Sequence, residues 1–393
     1  MDLFDKCANY TLVNEIKDAG IYPYFHALES RQDIAVIMEG KRRIMLGSNN
    51  YLGLTTNPEV IEAGIKAFEQ YGSGCSGSRF LNGTLAMHLE LEQELAEFMG
   101  KEGCVTFSTG FQSNLGAISA LVGRGDYVIC DRENHASIYD GCRLSYGKML
   151  RYKHNDMEDL ERQLQCVPAS AGILIISDGV FSMGGDIANL PELVRLKKQY
   201  GARLMLDDAH SVGVLGDGGR GTANSFGLLG EVDVIVGTFS KSLASLGGFM
   251  VADGYVTEYV RHVSRPLIFS ASITPAACAV ALTALRYLRK HPEIVERLGA
   301  VSQYARDGLV KRGIKIRLSQ TPIIPLYTYD TQNTLITNRY LYDAGVYINP
   351  VLPPATAASE CLLRTSYMAT HTYEILDEAM DIIQRVFAAR GLI

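Results

Sequence analysis

Hydrophobic and polar positions follow two alternating patterns between about residue 85 and residue 252. Short apolar runs are separated by longer stretches in which apolar residues recur every three or four positions, which is typical of buried strands joined by amphipathic helices. The apolar runs predict strands over 103–108, 126–131, 171–177, 202–207, 232–237 and 247–252. The stretches between them predict helices over 85–99, 110–122, 136–146, 156–165 and 190–200. This alternation indicates an α/β fold with a mainly parallel central sheet and crossover helices.

The two ends of the chain do not show this alternation. The N-terminal part predicts a helix over 9–19 and a short hairpin over 36–46, and a further helix begins at Pro58 with Asn57 as its cap. Beyond residue 270 the pattern predicts two long helices over 275–290 and 292–312, which are followed by short strands and by a final helix over 372–389. We therefore expect an N-terminal arm, a large domain and a smaller C-terminal domain, over 1–45, 46–270 and 271–393.

Composition narrows the class of protein. A chain of 393 residues with 47% hydrophobic and 20% charged residues is long enough for more than one core and leaves little room for disorder. The net charge of −6 argues against a nucleic-acid-binding surface. We expect a cytoplasmic protein, because no apolar run approaches the roughly twenty residues of a membrane span and the N-terminus lacks a leader pattern. The eight cysteines form no CxxC pair, so we expect neither a metal site nor a disulfide framework.

Polar motifs follow the predicted strands at their carboxyl ends, where ligands collect in sheets of this kind. In chain order these motifs are STGFQSN, REN with His135, DGVFSMGGD, DDAH and TFSK. The last of them contains Lys241, which follows an apolar strand and lies among Thr238, Ser240 and Ser242. A sheltered lysine among hydroxyl donors can lose its proton and act as a nucleophile or as a Schiff base partner of pyridoxal phosphate. The alternative is a polar loop that carries an incidental lysine.

Three further side chains have the chemistry that such a cofactor needs. Asp207 ends a predicted strand and could pair with a pyridinium nitrogen, although a sheet-end aspartate can also simply cap a helix. His210 could reach the phenolic oxygen of the cofactor, and His135 could stack on its ring. A lone histidine is more often structural, but two at strand ends that converge on one place favour a functional site.

A phosphate seat is predicted where the helix over 110–122 begins. Gly110 and Phe111 open this helix directly after a strand, so their backbone amides point toward an anion at the positive end of the helix dipole. Thr238 and Ser240 could complete the seat from the lysine loop. The glycine-rich segment 71–84 has neither the GxGxxG nor the Walker spacing and is weak evidence for a nucleotide site.

Taken together, these motifs resemble the α-oxoamine synthase family of fold-type I pyridoxal phosphate enzymes. The resemblance covers nearly the whole chain, through segments such as NNYLGL, GSRFLNGT, FSTGFQSN, DGVFSMGGD, DDAHSVGVLG, GTFSKSLASLGGF, FSASITP and LLRTSYMATHT, in family order. It implies that Lys241 bonds to the cofactor, that Asp207 pairs with its ring nitrogen and that His210 contacts its phenolic oxygen. It also implies a stacking His135 that faces the substrate carboxylate, with cofactor contacts from Ser182, Gly110, Phe111, Thr238 and Ser240.

The resemblance further implies a homodimer with shared active sites, because the family takes one phosphate contact from the neighbouring subunit. Thr274 is the candidate for that contact, and Arg364 with Asn50 are candidates for binding the amino acid carboxylate. The chain departs from the family pattern at Asp178, where many members have glutamate, and at Leu352, where some have arginine.

The members that this chain resembles most condense L-serine with palmitoyl-CoA, giving 3-oxosphinganine, the first step of sphingolipid synthesis. The sister reactions are those of 8-amino-7-oxononanoate synthase and glycine C-acetyltransferase, from which the shared motifs do not separate it. Peripheral contact with a membrane, to deliver a lipid product, is left open. A function of another class is a non-catalytic regulatory subunit, but such a subunit would need none of Lys241, Asp207, His135 and His210.

Overall fold

The computed structural model describes residues 2–393. Within that range the chain divides into two compact units. The larger unit contains residues 49–300 and 319–322, and the smaller contains residues 2–48, 301–318 and 323–393. The predicted division grouped the chain differently, because it set residues 1–45 apart and gave the helix over 275–290 to the C-terminal domain. The three-part division into functional domains stays a prediction.

The secondary structure over the described residues is as follows. The strands are β1 Ala35–Met38, β2 Lys41–Met45, β3 Gly103–Phe107, β4 Tyr127–Asp131, β5 Lys148–Tyr152, β6 Ile173–Asp178, β7 Arg203–Asp207, β8 Val234–Thr238, β9 Gly248–Ala252, β10 Ile323–Tyr329, β11 Val346–Tyr347, β12 Asn349–Val351 and β13 Cys361–Ser366. The helices are α1 Asp5–Ala8, α2 Leu12–Asp18, α3 Pro58–Tyr71, α4 Ala86–Phe98, α5 Gly110–Leu121, α6 Ala136–Leu144, α7 Met157–Gln165, α8 Leu190–Tyr200, α9 Thr222–Ser225, α10 Gly254–Val263, α11 Arg265–Ile268, α12 Pro275–Lys290, α13 Glu293–Lys311, α14 Thr331–Asp343 and α15 Tyr373–Ala389.

The larger unit is built on one sheet with the strand order β3-β9-β8-β7-β6-β4-β5. The strands from β8 to β5 run parallel, and β9 is antiparallel to both of its neighbours, β3 and β8. This arrangement confirms the predicted α/β class and the six predicted strands. The sequence prediction missed β5 at the sheet edge, together with α10.

Burial explains why these strands read as continuous apolar runs. Both faces of the sheet are covered, and β8 and β9 are buried along their whole length. One side packs against α5 and α6, through a core that includes Val105, Ile118, Ile138 and Met250. Because water is excluded from both faces, alternation of polar and apolar residues is not needed in these strands.

The smaller unit has its own core and two small sheets, with the orders β1-β2-β11 and β10-β13-β12. The predicted N-terminal hairpin is confirmed, since β1 and β2 pair antiparallel. Residues of this hairpin belong to the unit's core: Ile44 and Leu46 pack with Leu363 and Leu376. The hairpin is therefore an integral part of the unit that also contains the C-terminal helix α15.

None of the helices in residues 2–393 combines the length and the apolar composition that crossing a bilayer requires.

Candidate active site

A cavity of about 250 Å³ opens in the larger unit at the carboxyl ends of its parallel strands. Most of the candidate residues line it, namely Gly110, Phe111, His135, Asp207, His210, Thr238, Ser240 and Lys241. Asn114, Ser137 and Asp178 also line it, although no sequence pattern predicted a role for the first two. The parallel topology accounts for this convergence, because consecutive strands end at the same edge of the sheet.

One wall of the cavity is the N-terminus of α5. Thr109 caps this helix, its Oγ1 accepting a hydrogen bond of 3.1 Å from the backbone N–H of Gln112. The amides of Gly110 and Phe111 have no carbonyl partner within the helix, as in the first turn of any α-helix. A Cβ on Gly110 would lie 2.7 Å from Oγ1 of Thr238, so only glycine allows the two segments to approach this closely. The hydroxyls of Thr238 and Ser240 are 2.9 Å apart beside these amides.

A second wall is formed by Asp207 at the end of β7, whose residue surface is 5% exposed. Its Oδ2 accepts a hydrogen bond of 2.6 Å from Nδ2 of Asn114, and its Oδ1 accepts one of 2.9 Å from the amide of Ala209. Asp178 lies in register with it on the neighbouring strand β6. Burial, followed by the negative charge of Asp207, raises the pKa of Asp178 well above its ordinary value.

His135 immediately precedes α6 and caps that helix. Its Nδ1 lies 2.7 Å from Oγ of Ser137 and 3.3 Å from the backbone nitrogen of the same residue. Its own backbone N–H donates to Asp178 at 3.2 Å, and its ring meets that of Phe111 edge-on at 6.2 Å. Burial is the main reason why the pKa of His135 is lowered, so the ring is neutral at physiological pH.

His210 lies three residues beyond the end of β7, and its Nδ1 is 2.7 Å from the hydroxyl of Tyr51. Tyr51 is fully buried and belongs to the NNYLGL segment. This segment is one of those that carry the family resemblance, but no role was predicted for its tyrosine. The phenol fixes the orientation of the imidazole, because each group can satisfy the other with a single hydrogen bond.

Lys241 lies in the loop that joins the antiparallel strands β8 and β9. Thr238 and Gly248 pair across the base of this loop, and Ser245 closes it with a hydrogen bond of 2.9 Å from its amide to the carbonyl of Phe239. The hydroxyl of Ser245 also donates to the carbonyl of Ala277 at 2.6 Å. These contacts hold the loop in one conformation, with the half-buried Lys241 at the cavity.

The other candidates do not line this cavity over the residues described. Ser182 is half-buried in the loop after β6, and the exposed Thr274 caps α12 by accepting a hydrogen bond of 3.2 Å from Ala277. Asn50 is buried and donates to Oγ1 of Thr55 at 2.7 Å. Arg364 belongs to the smaller unit, where it is buried on β13 and its Nη1 lies 3.4 Å from Oγ of Ser366.

The groups around the cavity fit pyridoxal phosphate. The amides of Gly110 and Phe111 and the hydroxyls of Thr238 and Ser240 provide donors for a phosphate. Lys241 provides an amine for an aldehyde, and the buried carboxylate of Asp207 suits a protonated ring nitrogen. The close approach of Gly110 to Thr238 leaves the first-turn amides facing this space rather than a side chain.

Comparison with known proteins places the chain in a family. The aminotransferase class I and II family model matches residues 41–383. A serine palmitoyltransferase from Bacteroides thetaiotaomicron is 52% identical over 392 residues, covering 100% of this chain and 99% of the relative. A solved structure described as SPT with a PLP internal aldimine is 40% identical, covers 100% of both chains and superposes with a TM-score of 0.96.

The 8-amino-7-oxononanoate synthase of Francisella tularensis is more distant, at 25% identity and a TM-score of 0.75 over 89% of this chain and 99% of that chain. Because the family model spans most of the sequence and the relatives match over its full length, the chain belongs to the aminotransferase class I and II family, the fold-type I pyridoxal phosphate enzymes, and within it to the α-oxoamine synthases.

Proposed function

We propose that this protein is a pyridoxal phosphate-dependent acyltransferase that condenses L-serine with palmitoyl-CoA. The products are 3-oxosphinganine, coenzyme A and carbon dioxide, so the reaction starts the synthesis of sphingolipids. The observation that carries the proposal is the convergence of Lys241, Asp207 and His135 on the cavity beside the N-terminus of α5. The choice of serine and a long acyl chain is supported by the names of the relatives that match at 40–52% identity.

When bound in the cavity, pyridoxal phosphate supplies an electron sink for the negative charge that forms at Cα of the amino acid. Asp207 keeps a proton on the ring nitrogen, because a buried carboxylate favours a positive charge beside it. The Gly110 and Phe111 amides, with Thr238 and Ser240, bind the phosphate, and we assign a further cofactor contact to Ser182. His210, oriented by Tyr51, donates to the phenolic oxygen.

The side chain of Lys241 moves the protons. Its amine would take the proton from Cα of serine, so that this carbon could bond to the thioester carbonyl as coenzyme A leaves. After carbon dioxide is lost, the same amine would return a proton to that carbon. His135 covers the ring and offers a donor to the serine carboxylate. The loop that closes through Ser245 keeps the amine in place during these steps.

Binding of the serine carboxylate is assigned to Arg364, with Asn50 as a second partner. A charge-assisted hydrogen bond of this kind contributes about 1.5–3 kcal/mol. We also propose a homodimer in which Thr274 of one copy contributes to the phosphate seat of the other. This assignment is supported by the exposure of Thr274 and by its place outside the cavity of its own chain, within the described residues.

A cytoplasmic location is part of the proposal. It is supported by the eight cysteines, all of which are free thiols in the structure, as is usual in a reducing compartment.

The test is kcat/KM with L-serine for acyl-CoA substrates from acetyl to stearoyl, kept below micelle-forming concentrations, with glycine and L-alanine as competing amino acids. Each methylene that is fully buried on binding contributes roughly 0.8 kcal/mol, or about fourfold. We therefore expect kcat/KM to rise steeply toward sixteen carbons and then to level off.

A profile that peaks at acetyl-CoA, or that requires a terminal carboxylate, would instead identify one of the sister reactions. Absence of cofactor absorbance and of turnover in purified protein would favour a regulatory subunit.

The variant Arg364→Ala tests which substrate this arginine binds, since KM for L-serine should rise while KM for palmitoyl-CoA stays the same. The matched control is Arg42→Ala, which removes an exposed arginine paired with Glu378.

A further inference from the structure

A continuous series of hydrogen bonds connects Asp207 to His135 beneath the cavity. Nδ2 of Asn114 lies 2.6 Å from Oδ2 of Asp207 and 2.8 Å from Oγ of Ser137. The hydroxyl of Ser137 lies in turn 2.7 Å from Nδ1 of His135. Asn114 comes from α5, Ser137 from α6 and Asp207 from β7, so three elements contribute to the series. Asn114, Ser137 and Asp207 are buried.

The carboxylate of Asp207 determines which atom donates and which accepts in each of these hydrogen bonds. An ionised carboxylate only accepts hydrogen bonds, so the amide of Asn114 must present Nδ2 to Asp207. The opposite orientation would place two acceptor oxygens 2.6 Å apart in a buried site. The second hydrogen of Nδ2 then points to Oγ of Ser137, which acts as the acceptor in that bond.

The hydroxyl of Ser137 has one hydrogen, and this hydrogen is free to be donated to Nδ1 of His135. The backbone N–H of Ser137 approaches the same ring nitrogen at 3.3 Å. Two donors at Nδ1 make that atom an acceptor. In a neutral imidazole the proton must then reside on Nε2, and burial lowers the pKa of His135 and so keeps the ring neutral.

We propose that Asn114 and Ser137 are positioning residues that hold His135 in the Nε2–H tautomer and make that tautomer depend on the charge of Asp207. The proposal rests on the proposed function in one respect, that Nε2–H is the donor which His135 offers to the amino acid carboxylate. The carboxylate of Asp207, which pairs with the cofactor, thus also determines which ring nitrogen of His135 can donate a hydrogen bond.

The tautomer can be read directly, without turnover. Long-range proton–nitrogen NMR spectra of protein labelled with ¹⁵N-histidine distinguish a protonated ring nitrogen from an acceptor by its nitrogen shift. The His135→Asn variant identifies the signal, because only that signal disappears. We expect the acceptor shift at Nδ1 and the protonated shift at Nε2, both with and without cofactor. A proton on Nδ1 in the parent protein would overturn the proposal.

The variant Ser137→Ala removes the hydroxyl but leaves the backbone donor in place. We expect its His135 nitrogen shifts to move toward each other as the two tautomers exchange. KM for L-serine should rise about fivefold to tenfold, the effect of one hydrogen bond, while KM for palmitoyl-CoA stays the same. Ser137→Thr, which keeps the hydroxyl, should restore both properties.

Two further variants complete the test. Asn114→Leu removes the link to Asp207 and should shift the nitrogen signals in the same direction as Ser137→Ala. Ser145→Ala is the matched control, because Ser145 follows the same helix and its hydroxyl bonds to local backbone groups, the carbonyl of Cys142 and the N–H of Gly147. Unchanged shifts and an unchanged KM for L-serine in Ser137→Ala would contradict the proposal. The NMR result stands even if the amino acid substrate is not serine, so the two proposals can fail separately.

Discussion

Aspartates at the two ends of the parallel strands lie in opposite electrostatic environments. At the amino end, Asp233 precedes β8 and pairs with Lys197 at 2.6 Å and with Arg203 at 2.8 Å, while the amide of Leu204 donates to it at 2.7 Å. Burial alone would raise the pKa of Asp233, but these hydrogen bonds outweigh it and lower the pKa. The carboxylate is therefore stabilised in its charged form.

At the carboxyl end, the adjacent strands β6 and β7 end in Asp178 and Asp207, whose side chains receive hydrogen bonds from amides. Burial, and next the charge of Asp207, raises the pKa of Asp178 instead of lowering it. The difference shows that one end of the sheet uses aspartate for stability. The other end keeps carboxylates close together at a cost in stability, which is typical of a reaction site.

The sharpest test of this contrast removes one lysine from each end. Lys241→Ala should abolish turnover and leave the midpoint temperature of thermal unfolding nearly unchanged. The chemistry depends on this one amine, whereas the fold depends on the core of the sheet. Lys197→Ala should do the reverse, since Lys197 neutralises Asp233 at 2.6 Å far from the cavity. Turnover assays and thermal unfolding of both variants decide the matter. Retained condensation activity in Lys241→Ala would refute the catalytic assignment.

Asp131 is the exception at the carboxyl end, since it ends β4 but is neutralised. Nδ1 of His154 lies 3.1 Å from Asp131, and Nε2 of the same ring lies 2.6 Å from Asp186. Burial alone would lower the pKa of His154, but the hydrogen bonds to the two aspartates raise it to about 10. We expect His154→Gln to lower the free energy of unfolding by about 3–5 kcal/mol near pH 7, because it leaves a buried carboxylate without its cation.

The raised pKa of His154 also determines how its contribution to stability changes with pH. A raised pKa means that the stabilisation is fully present below about pH 6.5, the ordinary value, and is lost as the pH rises through about 10. The difference between parent and His154→Gln in urea unfolding should therefore shrink over that range. The exposed His262, 3.4 Å from Glu258, provides the control His262→Gln. A difference that grows with pH would contradict the assignment.

Asp233→Asn tests the amino end in the same way. Losing the charge-assisted hydrogen bonds should cost about 1–3 kcal/mol at pH 7. Because the pKa of Asp233 is lowered, its contribution is present above the ordinary value of 3.8 and is lost as the pH falls through the lower, folded-state value. Chemical unfolding of parent and variant should thus converge below about pH 4. A constant difference across that range would mean that charge is not the cause.

Asp178→Asn should have the smallest effect and the opposite sign. A raised pKa lowers the stability of the parent as the pH rises above 3.8, and asparagine does not ionise. The variant should match the parent near pH 4 and exceed its free energy of unfolding by about 1 kcal/mol at pH 8. Equilibrium unfolding of both proteins without cofactor checks this. A variant less stable than the parent at pH 8 would show that Asp178 is held for stability.

The sequence predicted the larger unit better than the details of its site. Its buried strands are long apolar runs, whereas β5, with the sequence KMLRY, carries two charges at a sheet edge and was missed. The helix α14 was missed because its polar residues, TQNTLITNRYLYD, hide the apolar spacing. Lys241 and Asp207 could be found because Asp207 is the last residue of an apolar strand and Lys241 lies three residues beyond the end of another.

Asn114 and Ser137 could not be found by that rule, because their importance depends on a meeting of α5, α6 and β7 that no local pattern encodes. The roles proposed for Thr274 and Arg364 came from the resemblance alone. Spacing along the chain does not show which distant residues lie near these two side chains.

The antiparallel strand β9 also determines the order in which the site can assemble. β3 pairs with β9 within the described sheet, and β9 joins it to β8. β8 and β9 form a local hairpin of low contact order, whereas β3 must wait for a partner about 140 residues later in the chain. During synthesis, β3 can therefore pair with the sheet only after residues 248–252 have left the ribosome. Residues from the first third of the chain complete the cofactor site only after two thirds of it have been made.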